Sequence, residues 1–136
     1  MPHSTSQTIA GRIEELYGQP MAALEAHVDT NPTGTMLAAL TSSHTDLQLA
    51  ERNITFQLQR LRELAHPDRQ IGTFEAGHLL DCARRIAESV ATRDAHAKTV
   101  SAVLASLHRV PAAPPPPSSA PAAPACAPVP AATRTR

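Results

Sequence analysis

From Met36 to Leu107 the chain reads MLAALTSSHTDLQLAERNITFQLQRLRELAHPDRQIGTFEAGHLLDCARRIAESVATRDAHAKTVSAVLASL. Steps of four and three from Leu40 pick out Leu40, His44, Leu47, Glu51, Ile54, Leu58, Leu61 and Ala65, mostly apolar. The same steps from Leu79 give Leu79, Ala83, Ile86, Val90, Arg93, Ala97, Val100, Leu104 and Leu107, with one polar member. A stripe of this period lies along one face of a helix and faces a partner helix, as in a coiled-coil seam. No Pro interrupts either arm. The pattern predicts two long helices, about residues 35–65 and 74–108, each about 45–50 Å long at 1.5 Å per residue.

Between them stands His66-Pro67-Asp68-Arg69-Gln70-Ile71-Gly72. Pro67 disfavours helical geometry at His66, so the first arm should stop there. Thr73 is the expected N-cap of the second arm, and Glu75 in its first turn suits the helix dipole. So short a turn makes the arms antiparallel neighbours. Folding back near residue 69 or 70 sets Ile54 level with Ile86. Glu51 falls level with about Ser89, within side-chain reach of Arg93, and His44 falls near Ala95 and His96. The polar members of the two stripes therefore meet in one region far from the turn.

Working outward, Ser4-Thr5-Ser6-Gln7 has the form of a capping box. Ile9, Ile13, Leu16 and Tyr17 give the helix that follows, about 7–17, one apolar face, and Gly18 is a C-terminal stop. Pro20 opens a second short helix, about 20–28, carrying Met21, Leu24 and Val28. Asn31-Pro32-Thr33-Gly34 reads as the turn into the first long arm. The expected fold is all-α: a long antiparallel hairpin with two short N-terminal helices, a three- or four-helix bundle over residues 1–109.

Residues 110–136 differ in kind. Of these 27 residues, 9 are Pro and 9 are Ala, so they cannot build a packed core. Pro114-Pro115-Pro116-Pro117 favours an extended polyproline helix, and the rest reads as a disordered Pro/Ala-rich tail.

Composition narrows the function. The chain has 12 basic and 12 acidic residues, and two of the basic ones, Arg134 and Arg136, lie in the tail. The bundle is therefore net −2 and shows no basic face for phosphates. Tyr17, Phe56 and Phe74 are the only aromatics, too few for base stacking. No nucleic-acid partner is expected, which disfavours an oligomeric nucleic-acid-binding regulator. No run approaches a membrane span, and the first residues lack the pattern of a secretory signal. Cys82 and Cys126 do not make a disulfide framework. The expectation is a cytoplasmic protein. The 11 Arg to one Lys, with abundant Ala, suggest a GC-rich bacterial source.

The seven His are the compositional oddity. Two complete Glu-x-x-His: Glu63 with His66, and Glu75 with His78. Residues three apart share a helix face, and di-iron bundles use two such motifs with two further Glu. The fold-back brings the motifs together, so Glu63, His66, Glu75 and His78 form a candidate metal set. Against it, both motifs flank the turn, His66 precedes Pro67, and no pattern supplies the remaining carboxylates. Solvated helix ends are the better reading, with no cofactor, no metal and no catalytic residue. A phosphate-binding Gly-rich loop, a Cys-x-x-Cys pair and a Gly-x-Ser-x-Gly turn are all missing.

What remains is surface. Leu37, Leu49, Phe56 and Leu64 lie off the main stripe of the first arm, as do Leu80, Ala87 and Ala91 on the second. The short helices or a second copy of the chain must cover them. The sequence thus points to a non-enzymatic interaction or assembly protein acting through Leu37, Leu49, Phe56 and Leu64. Its partner is another protein or itself, as a homodimer. The sequence carries no family signature; at fold level only, the hairpin resembles small helical export substrates and many bacterial adaptor proteins, and the Trp-x-Gly turn of the best-known export family has no counterpart in a chain without Trp.

Overall fold

A computed structural model describes residues 4–31 and 33–107. The expected extended tail at 110–136 lies outside these residues. The fold is all-α: α1 spans Thr5–Tyr17, α2 Met21–Thr30, α3 Met36–Leu64 and α4 Thr73–Ser106. No strand occurs among the described residues.

Local chemistry sets the helix ends. The Ser4 hydroxyl accepts from the Gln7 amide at 3.3 Å, and the Gln7 side chain accepts from the Ser4 amide at 3.3 Å, closing the expected capping box. Gly18 ends α1 in the left-handed region at φ 67°, and its N–H donates to the Glu14 carbonyl. Only glycine takes that conformation without steric cost. Thr35 caps α3 by accepting from the Ala38 amide at 3.1 Å.

Every helix end falls within two residues of the sequence reading. Pro20 is the N-cap of α2 instead of its first helical residue. Thr73 is already helical, and Gly72 precedes α4; the Glu75 carboxylate reaches back to the Gly72 amide at 3.0 Å. That bond satisfies a donor which a Thr73 cap would have left aside. α3 stops at Leu64 with Ala65 as its C-cap, one residue ahead of His66.

α3 and α4 pack along each other as the hairpin, α1 packs against both, and α2 against α3 and α1. The core joins Ile9 and Ile13 of α1, Met21 and Leu24 of α2, Leu40 and Leu47 of α3, and Val100 and Leu104 of α4. Every member from the long helices lies in the half of the hairpin away from the turn. In the other half Ile54, Leu58, Leu61, Leu79, Ile86 and Val90 are only half-buried. Ile54 and Ile86, expected in mid-seam, thus sit where only two helices meet. Cys82 and Gln57 are the buried residues there. The molecule is a small bundle at one end and a bare two-helix arm at the other.

Candidate functional site

At the junction of bundle and arm, Glu51 of α3 meets the start of α1. Its carboxylate accepts from the Ser6 backbone amide at 3.0 Å and from the Ser6 hydroxyl. The first amides of a helix have no intrahelical acceptor, and a carboxylate there also complements the helix dipole. Ser4 supplies the local cap and Glu51 a second, tertiary one. Arg93 does not pair with Glu51; it binds its neighbour Asp94 at 2.8 Å. Both line an open groove of about 810 Å³ with Ser4, Ile54 and Phe56.

One step deeper, His44 is 3% exposed, and neither ring nitrogen has a hydrogen-bond partner among the described residues. It lies on α3 between Leu40 and Leu47, both core residues. The polar members of the two stripes, level in sequence, therefore do not join in one layer. Glu51 turns to α1 and Arg93 to Asp94, and His44 bonds to neither.

The four metal candidates are each engaged locally. Glu63 accepts from the Gln59 side chain at 2.9 Å. His66 accepts the Asp68 amide through Nδ1 at 3.3 Å. Glu75 holds the Gly72 amide. His78 packs edge-on against Phe74, with ring centroids 4.5 Å apart. Among the described residues no group of three His, Cys, Asp or Glu side chains is placed to hold an ion.

On the outer face of α4, Asp81 binds Arg84 at 2.7 Å and Arg85 at 2.8 Å, and Arg84 reaches Glu88 at 3.3 Å. Hydrogen bonds from the two guanidinium groups hold the Asp81 carboxyl below its ordinary value, and the same bond raises Arg84. These are exposed helix pairs at three- and four-residue spacing, which contribute little to stability.

The arm's main feature is apolar. Phe74 is 74% exposed, Leu80 72%, Phe56 59% and Ile71 56%. All four lie in the half that α1 and α2 leave uncovered. Of the face expected from sequence, Leu49 and Phe56 are exposed and seven residues apart on one side of α3. Leu37 packs against the core beside α1 and α2, and Leu64 is half-buried near the turn. The structure thus divides those four residues, leaves the off-stripe Leu80 exposed, and adds Phe74 and Ile71. The signal for these was weak in sequence, since an apolar residue off a stripe can be buried by any further helix.

Comparison with protein-family models, with curated proteins and with solved structures gives no match. Among the described residues no helix is long and apolar enough to cross a membrane.

Proposed function

We propose that the chain is a cytoplasmic, non-enzymatic interaction or assembly protein whose working surface is the turn-proximal arm of the hairpin. One observation carries this reading: four large apolar side chains, Phe56, Ile71, Phe74 and Leu80, stand exposed on the part of the molecule without a core. Large apolar side chains left exposed together on one part of a molecule are candidates for contact sites. Phe is moreover enriched where interfaces bury their centres. Glu63, His66, Glu75 and His78, bound to separate local partners, lend no support to a di-iron reading. The arm's mixture of Arg, Asp and Glu is likewise unlike a phosphate-binding surface.

Cross-linking with mass spectrometry in extracts of the source cells tests the proposal. The full chain should form cross-links, to itself or to another protein, that map to residues 52–91. A Phe56→Glu, Leu80→Glu chain should lose them. Cross-links confined to α1, α2 or the tail, or unchanged in that variant, would refute the arm as the contact surface.

A further inference from the structure

Helical spacing shows what the bare arm is missing. On α3, Leu37, His44, Glu51 and Leu58 follow one another at seven-residue intervals and so lie along one line. On α4, Ala83, Val90, Ala97 and Leu104 form the matching line. At the bundle end these lines are the walls of the slot that α1 fills: Leu37, Ala97 and Leu104 pack in its core, and His44 is buried. α1 begins where Glu51 binds Ser6. Past that point the same walls run on toward the turn uncovered, with Leu58 and Val90 half-buried and Ala83 exposed. An open groove lined by Ser4, Glu51, Ile54 and Arg93 lies at the start of α1, where its cover of α3 ends.

Resting on the interaction reading above, we propose that the empty half-slot is filled by a second copy of this chain. The two arms lie antiparallel about a twofold axis near Ala83, so that four helices close one core. Two properties of the face favour its own copy. A twofold interface must present the same patch as knob and as hole. Here Leu80, 72% exposed, has Ala83 and Ala87 three and seven residues along the same side of α4. With the axis between them, Leu80 of each copy falls over Ala87 of the other, while Ala83 lets the helices approach closely. Arg84, the charge beside Leu80, is already paired within its own copy with Asp81 and Glu88. The antiparallel arrangement also keeps α1 and α2 of the two copies at opposite ends.

Size fixes the strength. The bare face is about 25 Å long and about 20 Å wide, so two copies together cover on the order of 1,000 Å², near the floor for a specific interface. The dimer is therefore reversible and depends on concentration.

Sedimentation equilibrium of the full chain across the micromolar range decides the matter. The native protein should follow a monomer–dimer equilibrium. Leu80→Glu should weaken it at least tenfold while leaving the circular dichroism spectrum unchanged, since the side chain is exposed in the monomer. Ala87→Arg should do the same from the opposing position. Phe74→Glu, which lies about 120° around α4 from Leu80, should change the dimer constant by less than about twofold. A native chain that stays monomeric throughout would overturn the second copy as occupant, while the cross-linking experiment would still judge the arm as a surface for another protein. A dimer that tolerates Leu80→Glu, or that Phe74→Glu weakens as much, would overturn the half-slot as the interface.

Discussion

The carboxylate of Glu51 holds both the backbone amide and the hydroxyl of Ser6, across 45 residues of sequence. This contact anchors the start of α1 at mid-hairpin and marks the border between packed bundle and bare arm. Hydrogen bonds to an ionised group each contribute about 1.5–3 kcal/mol. Glu51→Ala should thus destabilise the protein by roughly that amount in urea unfolding, and Ser6→Ala by less, because its amide remains. In a double-mutant cycle the two losses should fall short of additivity, as residues in contact do. Simple additivity would mean that the contact is absent in solution.

His44 should respond in the opposite direction. Its two ring nitrogens are buried without partners among the described residues, and each such group costs about 1–3 kcal/mol of lost hydration. His44→Leu places an apolar side chain of similar size in an apolar site and should be neutral or raise the melting temperature. A clear drop would show that His44 has a partner, such as an ordered water, that supports the core.

Stability should follow a gradient along α3. Leu47 is fully buried, so Leu47→Ala should cost about 2–5 kcal/mol. Ile54 is half-buried in the arm, and Ile54→Ala should cost about half as much. Leu49→Ala, exposed, should stay within about 0.5 kcal/mol in the monomer. Urea unfolding of the three variants in dilute solution checks the order. Equal losses at Leu47 and Ile54 would place a core in the arm.

For the turn, dialysis against a chelator should leave the melting temperature unchanged, and Glu63→Ala should be silent. Glu75→Ala should cost about 0.5–1 kcal/mol through loss of the bond to the Gly72 amide, with no metal involved. Stoichiometric iron, manganese or zinc in purified protein, lost in the double variant, would reverse this reading.

Asp81 gives a pH prediction with a definite sign. Its carboxyl is held below the ordinary value by Arg84 and then Arg85, so the folded state favours the ionised form. The contribution is fully present above the ordinary carboxylate value, declines as pH drops below it, and is gone once pH has passed the lowered value. Carboxyl NMR titration should place the Asp81 midpoint below the ordinary aspartate value. Exposure keeps the effect on melting small, so Asp81→Asn should shift it by at most a few degrees.

Much of the fold was legible because it is written locally. The long stripes, the Pro67 break, the Ser4 capping box and the Gly18 stop each depend on residues within a few positions of one another. The one-residue shift at Thr73 arose where two local solutions competed and the Glu75 side chain reached back farther than expected. Where the polar stripe members would turn was not legible, for a different reason. Level positions on two helices say which side chains could meet, but a third element can claim one of them, as Ser6 claimed Glu51.

The candidate surface follows the same division. By itself, the sequence determined that this chain is helical, where its helices start and stop, and that apolar residues exceed what one seam can bury, because period and capping are properties of neighbouring residues. Only the tertiary structure decided which of those residues are left bare. α1 and α2 are short, and their position depends on long-range contacts such as Ser6 with Glu51. They cover Leu37 and leave Leu80, Phe56 and Phe74 in water, so burial at each position depends on where a distant helix comes to rest.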